Sequence, residues 1–142
     1  MAASAFQLYN LSKKYIGTGV LILGTSAFKM KLYTSASNAS TFTLSTMASV
    51  TNQAAGGGYS NGKALASMVF TVGASAKQYK FGAANIIYTA NGSSLVGVKY
   101  GVIGVSGGKL LAWSKLSTAQ FTVTSPNTLT VQMPAGGIFT LT

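Results

Sequence analysis

The residues that could do chemistry in this chain are few, because whole side-chain classes are missing. Its 142 residues include no Asp, Glu, His or Cys. A nucleophilic serine therefore has no imidazole or carboxylate to take its proton. The one remaining base is lysine, which must be buried to lose its proton. The adjacent pair Ser114-Lys115 is the formal candidate, but strand alternation sends neighbours to opposite faces. Without thiolates, imidazoles or carboxylates, no disulfide or ordinary zinc site can be built, and a strong calcium site is not expected. The chain is accordingly expected to be no enzyme and to take no cofactor and no metal.

One motif invites a phosphate. Gly57-Gly58-Tyr59-Ser60-Asn61-Gly62-Lys63 has the G-x4-G-K spacing of a phosphate-binding loop. The next residue is Ala64, where Ser or Thr should hold magnesium, and the following segment is patterned as a strand where the motif needs a helix. A glycine-rich hairpin loop is the favoured reading. Large aromatics, Trp113 with Tyr88, Tyr100, Phe70, Phe81, Phe121 and Phe139, lie in strand-like segments and could stack on bases or sugars. Core packing or subunit contact is the favoured role.

All ten positive charges are lysines, giving a formal net charge of +10. They are scattered at Lys13, Lys14, Lys29, Lys31, Lys63, Lys77, Lys80, Lys99, Lys109 and Lys115. No Arg fork is present for bidentate phosphate recognition, so nucleic acid is not an expected partner. Three explanations fit a chain without acids. It is a basic protein that binds an anion; its acids were removed by design; or the natural chain carries carboxylates at positions written here as Gly, Ala, Ser or Thr. Turn chemistry favours the third. Asn stands in turn-like places (Asn38, Asn61, Asn91, Asn127), and Asp, the other natural turn residue, stands in none of them.

The elements that must position these residues are strands. Phe28, Met30 and Leu32 alternate with Lys29, Lys31 and Tyr33; residues 95–105, 109–116, 121–123, 129–133 and 139–141 repeat that period of two. Residues 64–72 and 78–89 add strands, the second broken at Gly82-Ala83-Ala84. Helix evidence is confined to residues 5–15, ended by Gly17 and Gly19, and to a turn within 44–52. Ser125-Pro126-Asn127 reads as a turn. The expected fold is all-β: one domain over residues 1–142, a jelly-roll-like sandwich or barrel of about eight strands with a short N-terminal helix or arm. No run of about 18 apolar residues exists to cross a membrane as a helix, and the N-terminus has no pattern of a secretory signal.

Three stretches carry a family resemblance. They are Ile16-Gly17-Thr18-Gly19 with residues 23–30 and 32–35; residues 50–53 running to Gly58-Tyr59 and Gly62-Lys63-Ala64-Leu65; and Leu129-Thr130-Val131-Gln132-Met133 followed by Gly137-Ile138-Phe139-Thr140-Leu141. With residues 81–90 they span much of the chain. In overall pattern the chain resembles small tailed-phage virion proteins associated with the head as decoration or cement proteins. The resemblance implies a structural protein on the capsid surface that stabilises subunit junctions, with the major capsid protein as partner and a homo-oligomeric state. Residues 2–15 and 138–142 are the candidate contact arms. The alternative is a tail, fibre or receptor-binding component that recognises carbohydrate through Trp113 and tyrosines. Members of such a family carry acids in turns, so Thr18, Gly24, Ser26, Gln53, Gly82 and Ala84 are the positions where carboxylates are expected.

Overall fold

A computed structural model describes residues 3–59, 62–73, 75, 77–105 and 107–141. Ala2 and Thr142 of the candidate arms, and Ser60 and Asn61 of the glycine-rich motif, lie outside the described residues. The described residues begin with β1 (Gln7–Leu8) and an α-helix, α1 (Asn10–Gly17), and continue through β2 (Phe28–Tyr33), a 3-10 turn (Met47–Ser49), β3 (Ala55–Gly56), β4 (Lys63–Ala64), β5 (Val69–Val72) and β6 (Tyr79–Gly82). The second half is strands alone: β7 (Ile86–Thr89), β8 (Leu95–Val98), β9 (Tyr100–Val105), β10 (Leu110–Lys115), β11 (Phe121–Val123), β12 (Thr128–Val131) and β13 (Phe139–Leu141).

Every strand pairing is antiparallel. The main sheet runs β1-β10-β9-β2-β4. Three smaller sheets, β11-β8-β3, β12-β7 and β13-β6-β5, form the facing layer. The architecture is the expected sandwich; the closed-barrel alternative is not what the strands form. Period-two patterning creates the main core between the layers. Phe28, Met30, Leu32, Ile103 and Leu111 come from the main sheet, and Phe81, Ile86, Tyr88, Leu95, Val98, Leu129 and Val131 from the others. Two contacts tie the layers directly: the Tyr88 hydroxyl donates to the Met30 carbonyl at 2.7 Å, and the rings of Phe28 and Phe81 lie 5.9 Å apart.

The main sheet is also covered on its other side. Tyr9, Tyr33, Ala39, Met47, Val50, Val102 and Leu110 form a second cluster, with Trp113 and Tyr100 against it. The Ser12 hydroxyl at the start of α1 donates to the Leu110 carbonyl at 2.8 Å, and the buried Tyr9 hydroxyl to the Ala39 carbonyl at 2.6 Å. This double coverage is why Leu110, Leu111, Ala112 and Ser114 are all buried despite their alternation.

Several boundaries differ from the sequence reading. The expected strand 95–105 is two strands in two different sheets, parted at Lys99; Gly97, inside β8, takes φ +84° where the register against β11 shifts. The expected strand 64–72 is interrupted between β4 and β5, where Ser67 takes φ +51°. The helix expected over 5–15 starts later. Gln7 and Leu8 pair with Trp113 and Ala112 instead, so Phe6 and Tyr9 owe their burial to a strand approach. Among the described residues there are thirteen strands where about eight were expected, several of them only two or three residues long.

Candidate functional site: an uncovered apolar sheet face

The sheet β13-β6-β5 carries a cluster of exposed apolar side chains. Its register pairs Phe70 with Phe81 and Val72 with Tyr79, then Phe139 with Phe81 and Leu141 with Tyr79. Directly opposed residues and alternate residues along a strand share a face. Phe70, Val72, Tyr79, Phe81, Phe139 and Leu141 therefore form one continuous apolar face. Its inner end is core. Phe81 is 0% and Phe139 8% exposed, with their rings 5.7 Å apart. Its outer end overhangs the sandwich. Phe70 is 42%, Val72 53%, Tyr79 47% and Leu141 45% exposed, with the Phe70 and Tyr79 rings 5.7 Å apart.

The opposite face of the same sheet presents Thr71, Lys80 and Thr140, with Val69, 47% exposed, at its end. Lys80 donates from Nζ to the Ala135 carbonyl at 3.3 Å. Strand β5 is one of the two edges of this sheet, and its sequence, VFTV, has none of the lysines or prolines that usually guard an edge. The edge strand β4 of the main sheet, by contrast, carries Lys63. Other exposed apolar residues, such as Ile87 and Val96, stand on separate strands, and such isolated exposure is normal.

The two terminal segments expected as contact arms are docked onto the body. The Ala3 N–H donates to the Gln132 carbonyl at 3.1 Å and the Ile138 N–H to the Phe81 carbonyl at 2.6 Å. Ile138 is buried. The segments meet each other across an open groove of about 660 Å³, lined by residues 5–8 on one side and Gly136, Gly137, Ile138, Phe139 and Thr140 on the other, with Lys13 and Phe42 at its rim.

The other sequence candidates are placed as follows. Ser114 and Lys115 point apart: Ser114 is buried, with its hydroxyl donating to the Ser4 carbonyl at 2.8 Å, and Lys115 is exposed. The glycine-rich segment does not join a hairpin. It carries the chain from β3, which pairs with β8, to β4, which pairs with β2, so a strand follows it where the motif needs a helix. A hollow of about 320 Å³ beside it is lined by Tyr59, Lys63, Tyr88 and Asn91 among others. The Tyr59 hydroxyl there is already occupied, accepting from the Leu32 N–H at 2.8 Å and from Gln53 Nε2 at 3.1 Å. Burial pushes the phenols of Tyr9, Tyr59 and Tyr88 above their ordinary pKa. Burial, with the neighbouring Tyr59 phenol as the lesser cause, lifts Tyr33 to about 12. The Tyr9 and Tyr88 phenols are held as donors to core carbonyls and the Tyr59 phenol as an acceptor.

Trp113 forms an aromatic shelf with Phe42 and Tyr100, both edge-on at 5.9 Å and 6.1 Å. A hollow of about 310 Å³ beside it is lined by Ser4, Ser40, Gln7 and Lys115. The indole Nε1 is buried without a hydrogen-bond partner, so its N–H is out of reach of a ligand in this arrangement. Sequence alternation marked Phe139 and Leu141 as sharing a face, but the overhang itself was missed. Its signal was the run Val69-Phe70-Thr71-Val72, apolar on both sides of the alternation and followed by Gly73.

Among the described residues, no helix is long and apolar enough to cross a membrane. No family model, no curated protein and no solved structure matches the chain.

Proposed function

We propose that this chain is a structural virion protein, a decoration or cement protein that stabilises a phage head by binding across capsid subunits. The observation that carries the proposal is the overhanging apolar face of β5, β6 and β13. Four large side chains, each nearly half exposed, continue a core face into solvent. Contiguous apolar surface of this kind marks an interaction site, and its burial stabilises an assembly without any chemistry. The terminal segments support the same role from an adjacent position. Their groove is open and lined largely by apolar side chains and backbone, suited to an extended segment of the major capsid protein. Modest single contacts suffice where many copies bind one shell.

The test is co-sedimentation of the purified chain with capsid shells that lack it. Saturable binding at a fixed copy number per shell is expected; absence of binding at any concentration overturns the proposal. The alternative is a tail, fibre or receptor-binding component. It rests on the shelf of Trp113, Tyr100 and Phe42 with its polar rim, which offers stacking to a sugar ring. In that case a host glycan binds and quenches Trp113 fluorescence, and shells do not bind.

A further inference from the structure

We propose that Asn91 is a site of spontaneous deamidation, where the backbone nitrogen of Gly92 converts the Asn91 side chain to a mixture of Asp and isoAsp. The inference is independent of the virion reading and concerns the loop between β7 and β8. Three observations carry it. Asn91 and Gly92 are exposed and lie outside the strands. Among the described residues, neither the Asn91 side-chain amide nor the Gly92 N–H has a hydrogen-bond partner. A Cβ added at Gly92, which takes φ +77°, would meet nothing within 4 Å. The attacking nitrogen is therefore bare and its surroundings are open.

The other described asparagines differ. Asn38 accepts the Thr51 N–H at 2.8 Å and donates to the Ser49 carbonyl at 3.0 Å. Asn52 donates to the Ala36 carbonyl at 2.9 Å, and Asn85 accepts the Met133 N–H at 2.8 Å. Ala39, Gln53 and Ile86 follow these three, and each sets a side chain beside the nitrogen that would attack.

The step needs only water. The Gly92 amide gives its proton to solvent, and its nitrogen bonds to Asn91 Cγ. The bond from Cγ to Nδ2 breaks, and Nδ2 takes up a proton from water and leaves as ammonia. One water then opens the cyclic imide. Cutting the bond from Gly92 N to Cγ gives Asp. Cutting the bond from Gly92 N to the Asn91 main-chain carbonyl carbon gives isoAsp, whose main chain runs through the side chain.

The two products have different consequences here. The Asn91 N–H donates to the Gly57 carbonyl at 2.9 Å, and the Gly57 N–H donates to Ser93 Oγ at 2.9 Å. These bonds clasp the chain just after β3. IsoAsp inserts a main-chain carbon between the two clasping residues, so it opens the clasp and Asp keeps it. Asp also places a carboxylate, in a chain that has none, in the hollow that Lys63 lines.

Peptide mapping of the intact chain, aged in neutral buffer either folded or in urea, tests this. Resistance to an Asp-directed protease marks isoAsp. Over the time in which the unfolded chain converts half of its Asn91, the folded chain is expected to convert a comparable share, mostly to isoAsp, with Asn38, Asn52 and Asn85 intact. Asn91→Gln, which must close a larger ring, is expected to show no conversion at this position. Cleavage at lysine puts Asn61-Gly62 on a different peptide, so the two sites are read separately. Asn91 left intact in the folded chain over that time overturns the proposal. So does conversion of Asn38, Asn52 or Asn85 as fast as Asn91. Amide exchange at residues 55–57 reads the clasp: it is expected to be faster in the isoAsp form and unchanged in Asn91→Asp. Equal exchange in the two overturns the structural consequence.

Discussion

Truncating two phenylalanines on one face of one sheet should have very different costs. Phe81 is 0% exposed and touches the rings of Phe28 at 5.9 Å and Phe139 at 5.7 Å. Removing a buried Phe side chain costs about 3–5 kcal/mol, because a cavity is left as well as a transfer term lost. The two ring contacts add roughly 0.5–1.5 kcal/mol each beyond area, so Phe81→Ala belongs at the upper end, about 4–5 kcal/mol. That is a large part of the ~5–15 kcal/mol that holds a typical domain together. Phe70, directly opposite it in register, is 42% exposed. A full burial term of about 1.5–3 kcal/mol is roughly halved there and no closed cavity forms, so Phe70→Ala should cost about 1–1.5 kcal/mol. Urea unfolding followed by Trp113 fluorescence, in dilute monomeric protein, reads both as shifts in midpoint at unchanged slope. Equal losses for the two variants, or a loss under about 2 kcal/mol for Phe81→Ala, would refute the claim that this face is core at one end and uncovered at the other.

Three further predictions follow from single sites. Stability should be full below pH 10 and fall as pH rises through about 12, because the buried phenols stay protonated in the folded chain while the unfolded chain releases their protons from the ordinary value of 10.0 upward. In an alkaline absorbance titration, Tyr9, Tyr33, Tyr59 and Tyr88 should ionise only as the chain unfolds; ionisation of these four near pH 10 in folded protein would contradict it. Gly137→Ala should lower the thermal midpoint by the equivalent of about 2 kcal/mol or more, since Gly137 sits at φ +83° and an added Cβ would lie 2.6 Å from the Phe81 carbonyl oxygen. Its neighbour control, Gly136→Ala, meets nothing within 4 Å and should be neutral or slightly stabilising. Finally, intact mass with peptide sequencing should exceed 14.5 kDa, with carboxylates at Ser26 and Ala84 before Gly24. Ser26 Oγ already accepts the Ile22 N–H at 2.9 Å, a bond a carboxylate would keep, whereas Gly24 takes φ +88°, where a side chain is strained. A mass equal to the sequence would make the +10 charge real.

The strands that alternate cleanly were legible because one face of each meets the core. In β2 and β7 every second side chain is buried, and the reading of a half-buried strand needed nothing more. The segment 78–89 was also read correctly as broken at Gly82-Ala83-Ala84, where the chain leaves β6 for β7. What could not be read was set by backbone geometry and by distant partners. Nothing in residues 95–105 announces that the chain leaves one sheet at Val98 and enters another at Tyr100. Phe6 and Tyr9 show helical spacing, yet β10 captures the segment between them. The uncovered face was illegible for the same reason: Phe70 and Phe81 are equally apolar in sequence, and only the register against β6 and the reach of the facing sheet decide which of them is left in solvent.

The most direct test of the account is hydroxyl-radical footprinting of Phe70 and Tyr79 in decorated shells, against the free monomer in dilute solution. Both rings are nearly half exposed in the free chain and react readily with radicals there. The account predicts strong protection of both in the assembled particle, with Ile87, on the separate β7 strand, remaining as reactive as before. Phe70 and Tyr79 modified in the particle as fast as in the monomer would contradict it, because the face would then remain in water where the protein works.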